Sequence, residues 1–179
     1  MSQNIIANKR IVTTKLQMAQ TIILSLQQEL AAYIAEGSGP FLAAIYDDKG
    51  NLIAKAANSV VSENCSHNHA EMNTIKAAEK KLNTYDLSSY NLSLYVTAEP
   101  CIMCLGGLMW SGIKEIYYGV SSKRVEEITG FDEGFKPNWL EEFKKRNITV
   151  YGNIDVEKGE EVLHNYVLQG YTVYKPERK

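Results

Sequence analysis

The chain has 179 residues, 45% of them apolar and 22% charged, which suits a single compact domain with a substantial core. Its formal net charge of −2 lacks the basic excess of a phosphate-tracking surface and argues against a nucleic-acid partner. No apolar run approaches the roughly 20 residues that cross a bilayer, Met1 to Arg10 lacks the apolar region of a signal peptide, and three cysteines exclude a disulfide framework, so the expectation is a cytoplasmic protein without membrane attachment.

Taken in chain order, Thr14-Lys15-Leu16-Gln17 has the form of a capping box. It is followed by Leu16, Ala19, Ile23, Leu26, Leu30 and Tyr33 at helical spacing, so the pattern predicts a helix from Thr14 to the Gly37-Ser38-Gly39-Pro40 stop. Phe41 to Tyr46 and Leu52 to Ala57 read as a hairpin turning through Asp47-Asp48-Lys49-Gly50-Asn51. After a polar segment, Met72, Ile75, Ala78 and Leu82 mark a helix that starts at or near His69. Leu92 to Val96 reads as a buried strand running straight into Glu99-Pro100-Cys101, where a second helix begins. Gly106 and Gly107 inside that helix cost about 1 kcal/mol each in propensity, so close packing is expected there. Together with Leu105, Leu108 and Met109 they suit a homodimer interface, the alternative being that the stripe packs on the chain's own sheet. Lys114 to Val120 predicts a strand, Ser121 to Arg146 a loop with a short helix near Trp139 to Lys145, Ile148 to Tyr151 a strand, and Val156 to Gln169 a C-terminal helix. This alternation predicts an α/β domain, a three-layer α/β/α sandwich around a central mixed five-stranded sheet. One domain is expected over 1–179, with a core at about 39–135 and a C-terminal helix and tail at 148–179. The basic clusters Lys144-Lys145-Arg146 and Lys175, Arg178, Lys179 are not interleaved with aromatics and read as solvated surface.

The chemistry is carried by His69-Ala70-Glu71 and Pro100-Cys101-Ile102-Met103-Cys104. Alone, a Cys-x-x-Cys pair can be a redox motif or half of a structural zinc site. Here no further cysteine completes a structural set, and the conjunction points to one catalytic zinc held by His69, Cys101 and Cys104, with a fourth position left for water. Cys101 and Cys104 share the first turn of a helix, and both helix N-termini direct their positive ends at the metal. Glu71 is a non-ligand carboxylate placed to act as base and then acid; its structural alternative is a helix-start acid. His67 also offers an imidazole, but only His69 has Glu at the second position after it. Cys65 is left over and reads as a plain thiol.

Asn58, His69-Ala70-Glu71, Glu99-Pro100-Cys101-Ile102-Met103-Cys104-Leu105-Gly106-Gly107 and Ile116-Tyr117-Tyr118-Gly119 resemble the cytidine-deaminase-like superfamily of zinc deaminases. The purine branch, which includes bacterial guanine deaminases and tRNA adenosine deaminases, fits best over roughly Gly39 to Phe135. Thr129-Gly130-Phe131-Asp132-Glu133-Gly134-Phe135 resembles a loop of the guanine deaminases. The resemblance implies Zn2+ on His69, Cys101 and Cys104, proton transfer by Glu71, and base recognition by Asn58 and the Ala70 backbone N–H. It further implies aromatic walls from Phe41 and Trp110 and a catalytic pocket carboxylate at Asp132, whose alternative is a loop residue capping the next helix. Cys65-Ser66-His67-Asn68 departs from the Asp-Pro-Thr-Ala common before the ligand histidine, and Leu42 stands where glycine is usual. The activity expected is hydrolysis of guanine to xanthine and ammonia, with likeness to the family also implying a homodimer. A tRNA adenosine deaminase, a deaminase of guanosine or another heterocycle, and an inactive zinc-binding interaction domain are the alternatives.

Overall fold

The computed structural model describes the backbone of residues 2–176 and the side chains of residues 12–176; Arg178 and Lys179 of the basic tail and the side chains of Met1 to Arg10 lie outside the described residues. The elements run α1 (Ser2–Ala35), β1 (Leu42–Tyr46), β2 (Leu52–Ala57), α2 (Ala70–Leu82), a 3-10 turn (Ser88–Tyr90), β3 (Ser93–Ala98), α3 (Ile102–Ser111), β4 (Glu115–Val120), α4 (Ser122–Thr129), α5 (Trp139–Lys145), β5 (Thr149–Tyr151) and α6 (Val156–Leu168). The strands form one sheet in the order β2-β1-β3-β4-β5. β1 is antiparallel to both neighbours, while β3, β4 and β5 are mutually parallel. The sheet is therefore mixed and five-stranded, as the alternating pattern predicts.

Alternation along the strands feeds two cores. In β1, Leu42 and Ala44 join one face with α1 and α6, while Ala43 and Ile45 join the other with α2 and α3. All four are fully buried, which is why β1 reads as an unbroken apolar run. On the first face Tyr95, Tyr117 and Tyr151 occupy paired register positions on β3, β4 and β5, their rings stacked at 4.8 Å centroid spacing. Tyr46 adds an edge contact to Tyr95 at 5.5 Å. On the second face Leu105 and Leu108 of α3 lie in the chain's own core. A Cβ on Gly107 would fall 2.5 Å from the Met72 sulfur of α2. The α3 stripe thus packs within the chain, which corrects its assignment to a dimer interface; Gly106, by contrast, has nothing within 4 Å of its Cβ position.

Two other elements differ from expectation. α1 begins at Ser2, so Thr14 lies inside the helix and not at its start; no Gly or Pro interrupts residues 2 to 13, and the helix continues through the box. α4 was expected as loop. Ser121 precedes it in extended conformation, and Gly130 at φ 76° ends it with its N–H on the Glu126 carbonyl. Lys145 and Arg146 pair with Glu142 on the exposed face of α5, as a solvated cluster should. Among the described residues no helix is long and apolar enough to cross a membrane.

Candidate active site

Strand direction decides where the chemistry collects. β2 and β3 both run opposite to β1, and β4 runs with β3, so the start of β1 and the ends of β2, β3 and β4 share one sheet edge. Phe41, Asn58, Glu99 and Ser121 leave the sheet there, as ligand sites in open α/β sheets generally do. α2 and α3 also begin at this edge. His69 and Cys101 are their N-cap residues, both extended and neither giving a side-chain cap, so the first N–H groups of each helix are directed at the site.

His69, Cys101 and Cys104 bring their ligand atoms within 4.8 Å of one another. His69 Nδ1 lies 3.5 Å from the Cys101 sulfur and 3.7 Å from the Cys104 sulfur. Tetrahedral zinc with bonds of about 2.3 Å to sulfur and about 2.0 Å to nitrogen sets those atoms about 3.6 Å apart, so the donor set has the spacing of a zinc site. The Cys104 contact, helped by His69 and against burial, lowers the Cys101 thiol to about 4, while the Cys101 contact and burial push Cys104 well up. A dication held there would favour the thiolate form of both. Burial opposes the imidazolium at His69, but the neighbouring Cys101 and Glu71 charges hold its pKa above the ordinary value. His67 does not join this group; its ring meets the Cys65 sulfur at 3.4 Å on the exposed loop.

Glu71 sits in the first turn of α2 and is 6% exposed. Burial, with the Cys101 charge behind it, raises its pKa. It opens into a cavity of about 280 Å³ that also contains His69, Cys101, Phe41, Asn58 and Phe131 on its walls. Asn58 is fully buried and tightly set: its N–H bonds the Phe41 carbonyl at 3.0 Å, and its side-chain oxygen accepts from Val60 N–H at 3.2 Å. A Cβ on Gly39 would lie 2.7 Å from that oxygen, so only glycine leaves room for the amide. The Asn58 side-chain N–H donates to the Tyr174 hydroxyl at 2.7 Å. Asn73 of α2 binds the loop between, donating to the Ala57 carbonyl at 3.0 Å and the Ser59 hydroxyl at 2.9 Å.

Of the residues expected at the site, His69, Cys101, Glu71, Asn58, Phe41 and Asp132 line the cavity. Ala70 is fully buried as the first residue of α2. Asp132 lies at the exposed rim, where its carboxylate accepts the Gly134 N–H at 3.0 Å. Trp110 does not reach the cavity within this chain. It stands on the last turn of α3 and is 82% exposed, because the helix carries it away from its N-terminal end at the metal. The sequence pattern missed Glu133, Phe131 and Tyr174. Glu133 is half-buried on the cavity wall, and burial, with the Cys101 charge, pushes it up to about 8, against a lowering by Lys136. Phe131 packs edge-on against Phe41 at 5.4 Å and Tyr174 at 5.0 Å. Tyr174, Lys175 and Pro176 close the cavity from the C-terminal tail, so Lys175 is a rim residue and not simply solvated surface.

The fold and this metal triad with its adjacent buried glutamate define a zinc deaminase domain. Residues 17–120 match the cytidine and deoxycytidylate deaminase zinc-binding region, and the chain belongs to that family. It is similar to the guanine deaminase of Bacillus subtilis, at 39% identity over 97 residues, 54% of this chain and 60% of that one. It is similar at 37% over 97 residues to the tRNA-specific adenosine deaminase of Buchnera aphidicola, covering 63% of it; the match thus spans about three fifths of these relatives. Among solved structures, the guanine deaminase of Nitrosomonas europaea superposes with a TM-score of 0.79 at 37% identity, over 82% of this chain and 83% of that one. NE0047 in complex with 2,6-diaminopurine gives 0.82 at 34% identity, over 88% and 85%.

Proposed function

We propose that the chain hydrolyses the exocyclic amine of a free purine base, converting guanine and water to xanthine and ammonia. The observation that carries this reading is the small cavity, of about 280 Å³, in which the metal triad, Glu71 and a buried amide face one another under the chain's own tail. That is near the lower end of the range for small-molecule sites, which is about 300–1,000 Å³. A base fits such a space, which Tyr174 of the tail helps to line. The absence of a basic excess in the sequence supports the same choice.

When bound, zinc supplies a water activated for attack at neutral pH. Glu71 is placed to take the proton released as that water adds to the ring carbon bearing the amine. The same carboxyl passes that proton to the adjacent ring nitrogen, then takes the second proton from the added hydroxyl and delivers it to the exocyclic nitrogen, so that the C–N bond breaks, the carbonyl forms and ammonia departs. One residue can serve throughout because its carboxyl, whose pKa burial raises, faces the same cavity as the metal donors. Phe41 and Phe131 offer apolar ring faces to the planar base. Asn58 can both donate to and accept from its edge. Asp132 and Glu133 offer carboxyl groups to ring and exocyclic N–H groups, which guanine presents where adenine has fewer.

The test is ammonia release from guanine, guanosine, adenine, a pterin and a tRNA anticodon stem-loop in parallel. Guanine turnover well above the rest supports the proposal; preferential inosine formation in the stem-loop replaces it with tRNA adenosine deamination.

A further inference from the structure

Glu99 and Lys136 form an ion pair at 2.9 Å with side chains only 12% and 15% exposed. Desolvating two such charges is costly, and an apolar pair of similar volume would hold two elements together as well or better. What this pair joins is more informative than its strength. Glu99 stands two residues before Cys101, at the end of β3. Its second oxygen accepts the N–H of Ser122, the first residue of α4, at 3.0 Å. Lys136 reaches the Ser122 hydroxyl as well. One carboxylate therefore ties together the segment leading to the metal, the start of α4, and the far end of the stretch that leaves α4 at Gly130.

Between those anchors lie Asp132 and Glu133, both facing the cavity. The stretch has no regular secondary structure. Its near end is held by the Phe131 ring and by Glu133 N–H on the Glu126 carboxylate at 3.0 Å. Lys136 holds its other end with a charged, directional contact that a mere apolar plug would lack.

We propose that the Glu99–Lys136 pair is a positioning clamp, fixing the Asp132–Glu133 segment over the metal site. Neither side chain needs to touch substrate. The clamp rests on the proposal that this cavity is the deaminase active site, where displacing a substrate-facing group by about 1 Å can cost a hundredfold in rate.

The experiment compares zinc-loaded parent, Lys136→Met and Lys136→Arg by peptide-level hydrogen exchange, zinc content and kcat/KM on guanine. In Lys136→Met, amides of residues 130–136 are expected to exchange at least about tenfold faster while β3 and α2 stay as in the parent. Zinc stays at one per chain, and kcat/KM falls about ten- to a hundredfold. Lys136→Arg, which keeps the charge and reach, restores slow exchange and most of the activity. If Lys136→Met fails to fold because Glu99 is left buried and unpaired, the Glu99→Gln/Lys136→Met double variant carries the same comparison. Exchange of the segment within twofold of the parent overturns the clamp, and so does exchange accelerated throughout the protein. Because exchange needs no substrate, a parent inactive on guanine sinks the functional proposal and leaves the clamp standing or falling on its own readout.

Discussion

Glu71 has two properties that pull in opposite directions, since it is buried where a carboxylate is poorly solvated and yet the proposed chemistry needs it to cycle through that form. Glu71→Gln should therefore keep zinc and fold while losing turnover by several orders of magnitude; substantial residual kcat would move the proton carrier elsewhere. Glu133 permits a test without catalysis. Below about pH 4.5 its folded and unfolded forms are both protonated. Between there and about 8 the unfolded chain releases a proton that the folded, metal-free chain retains, so stability falls as pH rises through that window. Metal-stripped Glu133→Gln should accordingly gain Tm on the metal-stripped parent between pH 4.5 and 8, and a constant gap would remove Glu133 from a buried site. Asp132→Asn separates the two carboxyls: if Asp132 meets the base by a charge-assisted bond of about 1.5–3 kcal/mol, kcat/KM on guanine drops about ten- to a hundredfold. A change within twofold would make it a loop residue that takes no part in holding the base. His69, Glu71, Cys101 and Cys104 were legible because fixed spacing at a helix start determines where side chains converge. Glu133 stands beside Asp132 in the loop motif with nothing in the local pattern to mark it as the more buried of the two, and Tyr174 reaches the cavity through long-range packing that leaves no periodic trace.

Most helix and strand identities followed from periodicity; the exceptions were the start of α1 and the whole of α4. No Gly or Pro stands between Ser2 and Thr14 to start α1 at the capping box, and α4, at eight residues, is too short to show much apolar periodicity. Glycines inside elements also carried less information than their contacts do. A Cβ on Gly119 in β4 would sit 2.4 Å from the Thr97 carbonyl of β3, a backbone atom that cannot step aside, whereas at Gly107 the obstacle is the end of the flexible Met72 side chain. Gly119→Ala should thus cost about 1–3 kcal/mol or more in urea denaturation, and Gly107→Ala should be close to neutral, helped by the better helix propensity of alanine. Equal losses in the two variants would contradict the packing described for α3.

The exposed apolar surface that self-association could cover lies at the tip of α3, past its buried stripe. Trp110 is 82% exposed, unusual for so large an apolar side chain, and Gly106 presents open backbone nearby on the same helix. We expect a homodimer that covers Trp110. Light scattering at micromolar concentration should give twice the chain mass, and Trp110→Ser should lower it toward a monomer; a monomeric parent would end the proposal.

The match to the family ends at Val120, and that boundary cuts the cavity in two. Upstream lie the metal donors, the proton carrier and Asn58; downstream lie Phe131, Asp132, Glu133 and Tyr174. On the proposed reading, the family match covers the metal centre together with Phe41 and Asn58 on one side of the base, and the rest of the cavity wall comes from residues beyond it.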